Sequence, residues 1–371
     1  IEAFLDVIKT YRELQAHGDI PAEKPFCTAR IETKGGKLRV IDSKGRRYPL
    51  THPRVHMLIP SMLDLGSRCF AAVLRHAGIR ASAVPDPTQE EFKLGLGCTS
   101  GKECLPAIIT TGSLMKYLRE RENEDELLVY FMPGDSGPCR FGSYYVLMQN
   151  IMEKERIPDV AFLSLSQEDG YMGFTMETTL RLWQVILATD VLENIYAAIL
   201  VLAEDREEAL RIYREIGDEM VRTLEHEPWS EVEKVLERGA ARLKSIGKKA
   251  SLEEVPRVAL INEMYVRRNN FARRHIVERL AERDIITLVG SLHEWMYYLD
   301  LMVQKKLVQN ATFGNRVQKK VEQIPKRYYE KRIKRILAES GFYRYKEVDT
   351  QRVLDSASHL VTPTLICESI I

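Results

Sequence analysis

From Val55 onward the chain alternates short, continuous apolar runs with stretches of helical periodicity, and few folds accommodate that pattern. VHMLIP is such a run, MLDLGSRCFAAVLRHAG repeats apolar residues at helical spacing and stops at Gly78, and IRASAVP is a second run. The alternation continues with a helix through Ala107 to Arg119, the run LLVYFMP, a helix from Phe141 to Lys154 and the run VAFLSLS. Strands that are apolar along their whole length are buried on both faces. Helices long enough to carry the chain back separate them, so the pattern predicts a parallel sheet covered by helices on both sides.

Four segments follow from this reading. Residues 1–51 form an N-terminal helix, Ile1 to Gln15, and a small hairpin in RIETKGGKLRVIDSKGRRYPL, where Gly-containing turns separate short alternating runs. Residues 52–175 are the first α/β domain. Residues 176–254 show no strand signal, and EDREEALRIYREIGDEMVRTLEHE places charges opposite an apolar stripe, as expected of a helical connector. Residues 255–371 start a second α/β domain, with VALINEMY as a strand, NNFARRHIVERLAERD as a helix and IITLVG as another strand. The expected architecture is two doubly wound, flavodoxin- or Rossmann-like parallel-sheet units joined by helices, in keeping with 371 residues at roughly 100–200 per domain. No repeat of fixed period is visible, which disfavours a solenoid.

Charge and composition narrow the function classes. Lys and Arg number 54 against 53 Asp and Glu, so no global basic field for nucleic acid exists. The apolar stretch Ile186 to Ala203 is broken by Asp190, Glu193 and Asn194, so no membrane span is expected. The opening IEAFLDVIKTYREL lacks the features of a secretory signal, and a cytoplasmic location is expected. The chain starts at Ile1 and stops within CESII, which suggests a longer gene product and a second α/β domain incomplete at its C-terminus. Six cysteines are too few for a disulfide framework at this length, so clustered ones read as metal ligands or packed thiols.

In a parallel α/β sheet, function gathers in loops at the carboxyl ends of strands, where helix N-termini offer free N–H groups. Cys104 lies in GCTSGKECLPAII, a Gly/Ser-rich loop leading into a helix whose first turn suits Pro106. Cys139 lies in FMPGDSGPCRFGSYY, between a strand and a helix. Both loops are expected at the same sheet edge, where the two thiolates could hold an iron–sulfur cluster. Two unrelated thiols in turns is the competing reading, since the interval between them matches no common zinc or ferredoxin spacing. Cys98, six residues before Cys104, is either a third ligand or a neutral loop thiol. Cys69 shares a helix face with Phe70, Val73 and Leu74 and reads as core; Cys27 and Cys367 have uninformative surroundings. GLGCTSG departs from the dinucleotide spacing, so a nicotinamide site finds little support.

In the second unit, SLHEWMYYLD offers His293 and Glu294, and INEMYVRRNN offers Glu263, Arg267 and Arg268. They would touch a substrate or the first unit, or be a partly exposed His and solvated ion pairs. Between Gln304 and Leu337, eleven Lys and Arg stand against two Glu, with Tyr328 and Tyr329 interleaved. The stripe would bind phosphate, RNA or an acidic partner, or form a solvated helical face.

Taken in order, GKECLPAIITTGSL, GPCRFGSYYVLMQ and INEMYVRRNN resemble one family, the iron–sulfur proteins related to 2-hydroxyacyl-CoA dehydratase subunits. The likeness is to the dehydratase-like half of the large CoA-substrate-specific enzyme activase proteins and runs from about His52 to the C-terminus. The resemblance implies that Cys104 and Cys139 ligate the cluster, a [4Fe-4S] or double-cubane type. A further cysteine comes in the family from a loop after a segment like HLVTPTLICESII, and Cys98 is the alternative third ligand here. It also implies an ATP-hydrolysing activator protein that delivers single low-potential electrons. The implied substrate is a CoA thioester or another small molecule, and the implied assembly is a homo- or hetero-dimer. In the dehydratases, one-electron reduction of a 2-hydroxyacyl-CoA to a ketyl radical makes loss of water feasible, and the cofactor carries the hard chemistry. The basic segment, with Lys319, Lys320, Lys331 and Lys334, is the expected docking face for the activator. The alternative class is a cluster-free α/β binding or scaffold protein that uses its basic helix to hold an acidic partner.

Overall fold

The computed structural model describes residues 2–17, 26–34, 37–134, 139–165, 174–261, 263–307 and 313–360. Helix α1 (Glu2–Ala16) is followed by an antiparallel meander of β1 (Arg30–Lys34), β2 (Lys37–Ile41) and β3 (Arg47–Pro49). Ile31 pairs with Val40, and Val40 with Tyr48. The expected hairpin thus gains a third strand, because the turn at Gly45, with φ +82°, sends the chain back once more. The meander is fastened to the rest of the molecule: Thr28 donates to the Ile157 and Val160 carbonyls at 3.0 and 2.8 Å. Asp159 also accepts from the Ser43 backbone N–H at 2.9 Å.

Next come β4 (Val55–Ile59), α2 (Asp64–His76), β5 (Ala81–Ala83), α3 (Gln89–Cys98), α4 (Leu105–Glu120) and β6 (Leu127–Phe131). A 3-10 turn at Arg140–Ser143, α5 (Tyr144–Lys154) and β7 (Val160–Leu163) complete this unit. The four strands are parallel in the order β5-β4-β6-β7, so the chain is an α/β protein. Val55, Met57, Ile59, Val129 and Leu163 point to the side of the sheet covered by Ala71 and Leu74 of α2. Leu58, Leu128, Tyr130 and Phe162 point to the other, against Leu114 of α4 and Met148 of α5. Both faces are dry, and each buried side chain contributes roughly 1.5–3 kcal/mol, which is why these strands are continuously apolar.

One helix was not expected. Gln89–Cys98, to which the sequence pattern assigns no element, folds as α3 behind a capping box at Thr88. The Thr88 hydroxyl accepts from the Glu90 N–H at 3.2 Å, and the Glu91 carboxylate accepts from the Thr88 N–H at 2.7 Å. Gly95 and Gly112 are there for contact between helices. A Cβ on Gly95 would lie 1.9 Å from the Ile108 carbonyl oxygen, and one on Gly112 would lie 1.7 Å from that of Glu91.

The 176–254 segment is helical, as α6 (Met176–Leu202), α7 (Arg206–His226) and α8 (Trp229–Lys244). It is more than a connector, because the largest apolar cluster centres on α6. That cluster gathers Leu65, Cys69 and Val73 of α2, Ile216 of α7 and Leu236 of α8, together with residues further along the chain. Among the described residues α6 alone has the length and hydropathy to cross a membrane, and most of it is buried inside the molecule.

The remainder comprises β8 (Arg257–Leu260), α9 (Met264–Arg268), α10 (Ile276–Ala281), β9 (Ile286–Val289), α11 (Leu292–Gln304), α12 (Phe313–Ala338) and α13 (Thr350–Ala357). β8 and β9 pair in parallel, Arg257 with Ile286 through Leu260 with Val289. The helix expected over NNFARRHIVERLAERD starts only at Ile276, after turns that leave Arg274 and His275 at φ +54° and +52°. The Asn269 carboxamide holds that turn by accepting from the Ala272 N–H at 3.0 Å.

Candidate functional site

Cys104 is the N-cap residue of α4, with Pro106 in the first turn as expected, and its side chain makes no bond to its own helix. It does not follow a strand directly: α3 intervenes, and the chain turns from α3 into α4 through Gly101 at φ +74°. Cys139 stands at the start of the 3-10 turn that leads into α5. The two loops touch, since Arg140 Nη1 donates to the Lys102 carbonyl at 3.4 Å.

Beside them stands Tyr144, the first residue of α5, which is only 6% exposed. It lies within electrostatic reach of Cys104, Cys139 and Glu263. Burial first, and then the neighbouring Cys104 thiol, hold the phenol far above its ordinary range. The Phe141 ring closes over it edge-on at 5.5 Å. Glu263 arrives from the second unit as the N-cap of α9, accepting the Tyr265 and Val266 N–H groups at 3.1 and 2.8 Å. Sequence reasoning singled out Cys104, Cys139 and Glu263 but passed over Tyr144, which reads as one aromatic among several in FGSYY.

Cys98 ends α3 and packs with Cys104 against the same apolar cluster. Its thiol is pushed up by burial, and its charged neighbours are Arg119 and Glu155. Among the described residues no group of three or more His, Cys, Asp or Glu side chains is placed to hold a metal ion. The described residues offer Cys104 and Cys139 as two thiols on adjoining loops, fewer than the ligand set of an iron–sulfur cluster. Cys69 is fully buried, which drives its thiol up to about 12, and Cys27 is exposed. Cys367 lies outside the described residues.

The second-unit residues fall into two sets. Glu263 lies within electrostatic reach of Tyr144; Arg268 and His293 are buried elsewhere, and neither is solvated. Both converge on Asp190 of α6. His293 offers its backbone N–H to Asp190 Oδ2 at 3.0 Å and its ring Nδ1 at 2.7 Å, while Arg268 bonds Oδ1. Arg273 pairs with Glu193 at 2.7 Å. Asp190 is held down at about 2: burial pushes it up, but Arg268 and the His293 bonds outweigh that. Glu193 goes the other way, raised mainly by burial. Asn269, next to Arg268, donates to the Ser61 carbonyl at 3.0 Å, just past β4, and so ties this cluster to the first sheet.

The basic stripe on α12 is mostly committed to internal partners. Lys334 is 2% exposed and bonds Glu330 at 2.7 Å, so it belongs to the core and cannot serve as a docking residue. Glu330 also accepts from Tyr297 at 2.9 Å and Arg327 at 3.0 Å. Lys326 bonds Asp300 at 2.9 Å, and Arg332 bonds Glu233 at 2.7 Å. Lys331 is half-exposed with Glu347 at 3.5 Å, while the side chains of Lys319 and Lys320 lie outside those described. No protein-family model, curated protein or solved structure matches this chain.

Proposed function

We propose that the chain is an iron–sulfur protein of the 2-hydroxyacyl-CoA dehydratase-like class that accepts single electrons through a group held by Cys104 and Cys139. One observation carries this reading. The three segments that bear the resemblance, around Cys104, Cys139 and Glu263, all lie within electrostatic reach of buried Tyr144. They are far apart in sequence, and two unrelated thiols in turns would have no reason to share a buried phenol.

The protein's own contribution is ligation, burial and orientation. Cys104 and Cys139 each stand at the start of a helical turn, on loops held together by Arg140. Tyr130, Met148 and Phe162 keep the floor of the site apolar. When bound, an iron–sulfur group would supply a one-electron step at low potential. In this proposal the parallel β8–β9 pair is the start of a second doubly wound unit. An ATP-dependent activator as electron donor, a CoA thioester or similar small molecule as substrate, and cytoplasmic action complete the proposal.

Anaerobic reconstitution with iron and sulfide tests it. The parent chain should take up both and gain the broad visible absorption of a bound cluster. Cys104→Ser and Cys139→Ser should each lose most of that absorption, whereas Cys27→Ser should retain it. A parent protein that stays colourless and iron-free overturns the assignment.

A further inference from the structure

We propose that Ser82, His56 and Glu126 form a second site, at the other end of α4 from Cys104, that cleaves an ester or thioester of a carboxylic acid through an acyl group carried on the Ser82 oxygen. Ser82 of β5, His56 of β4 and Glu126, just before β6, come together across three neighbouring strands. His56 Nε2 lies 2.9 Å from Ser82 Oγ. Its Nδ1 lies 3.1 Å from the Tyr117 hydroxyl and 3.3 Å from Glu126 Oε1, and Tyr117 gives its own proton to Glu126 Oε2 at 3.0 Å. Both neighbours of Nδ1 therefore act as acceptors towards it. The ring proton sits on Nδ1, and Nε2 keeps a lone pair for the Ser82 O–H. A hydroxyl within reach of a base, and a base oriented by a carboxylate, is the arrangement that activates serine. His56 and Glu126 are buried, whereas Ser82 is partly exposed on the edge strand of its sheet.

The backbone around Ser82 suits the charge that would develop there. Met57 donates to the Arg80 carbonyl at 2.9 Å and Val84 to the Ile59 carbonyl at 2.8 Å, so residues 80, 82 and 84 face β4. Alternation along the strand then turns the Ala83 N–H, one residue past Ser82, to the outer edge, where it would meet an oxyanion. Arg80, on the same face of β5 as Ser82, bonds Glu126 and sets a positive charge beside the site. Burial holds His56 below its ordinary 6.5 against the pull of Glu126, with Arg80 adding to the effect, so the imidazole is a neutral base at pH 7. In the reaction Ser82 Oγ bonds the acyl carbon and its proton passes to Nε2. The C–O or C–S bond breaks, and the leaving alcohol or thiol takes that proton. Water repeats the sequence, which releases the carboxylic acid and restores Ser82. Ser82 and His56 are the catalytic residues here; Glu126 and Tyr117 are positioning residues.

A fluorophosphonate, which phosphonylates activated serines with loss of fluoride, tests the site on the whole chain. The folded protein should carry the label on Ser82, located by peptide mass spectrometry, and the protein unfolded in guanidinium should carry none there. p-Nitrophenyl acetate should give a burst of nitrophenol that Ser82→Ala abolishes. His56→Gln, checked for fold by circular dichroism, should label about a hundredfold or more slowly. The labelling rate should rise with pH through a midpoint below 6.5, and Glu126→Gln should move that midpoint lower still, because the carboxylate favours the charged imidazole. A folded parent with no label on Ser82, or with equal label there after unfolding, overturns the proposal. An undiminished rate in folded His56→Gln overturns it as well.

Discussion

Asp190 and Arg268 are 78 residues apart in the chain and form a fully buried ion pair, with His293 completing the carboxylate's partners. Removing one member of such a set leaves an uncompensated charge in a place water cannot reach. Asp190→Asn should therefore cost about 3–5 kcal/mol in denaturant unfolding. Glu193→Gln should cost less than half as much, because burial already biases that carboxyl towards its neutral form. A comparable loss for both would show that the two acids share the load equally. The sign of the acid response follows from Asp190. Its contribution is complete above the ordinary 3.8 and is lost as pH falls from there towards about 2. None of this pairing was legible in sequence. Asp190 and Glu193 appear there only as interruptions of an apolar run, and Arg268 and His293 as polar residues near strand ends, because partners so distant in sequence leave no local pattern.

At the scale of elements, the α3–α4 seam decides where Cys104 stands. Two backbones approach so closely across Gly95 and Gly112 that a methyl group has no room. Gly112→Ala should destabilise the protein by about 3 kcal/mol or more, through overpacking against a carbonyl that cannot rotate away. Gly97→Ala makes the control, since nothing lies within 4 Å of its added Cβ. It should be neutral or stabilising by up to about 1 kcal/mol, read as a shift in the denaturation midpoint. The cap of α3 adds a pH dependence. Burial pushes Glu91 up, but its bonds to Thr88 and Lys116 bring it down to about 2 from 4.5. Stability from this cap is complete above 4.5 and is lost as pH falls towards 2. Glu91→Gln should flatten the acid limb of the stability profile. The strands and most helices were legible because their period survives in the sequence. Here the capping signal Thr88–Glu91 was present too, but glycines that serve close packing look the same in sequence as glycines that serve a loop.

For the whole molecule, the cluster around α6 draws on α2 from the first unit, α7 and α8, and on β9, α11 and α12 beyond them. Parts that share one core should melt together. The tryptophans, Trp183, Trp229 and Trp295, all lie after residue 176, whereas Cys69 reports on the first unit from α2. Tryptophan fluorescence and alkylation of Cys69 should therefore show the same denaturant midpoint. A midpoint for Cys69 clearly below that of the tryptophans would mean that the first unit opens alone. The junction between units was the least legible level, since Asn269 to Ser61 and the α2 side of the core are contacts between distant segments with no periodicity of their own. The seating of α12 has one more consequence. Lys331 and Lys334 lie one turn apart, the first half-exposed and the second enclosed by Glu330 and the Lys346 carbonyl. An amine-specific acylating reagent should mark Lys331 within seconds and spare Lys334 until the helix lifts from α6, α8 and α11. Nature has placed on a single helix both a probe and its own blank, so the ratio of the two labels reads directly, under any condition, the fraction of molecules whose last long helix is closed.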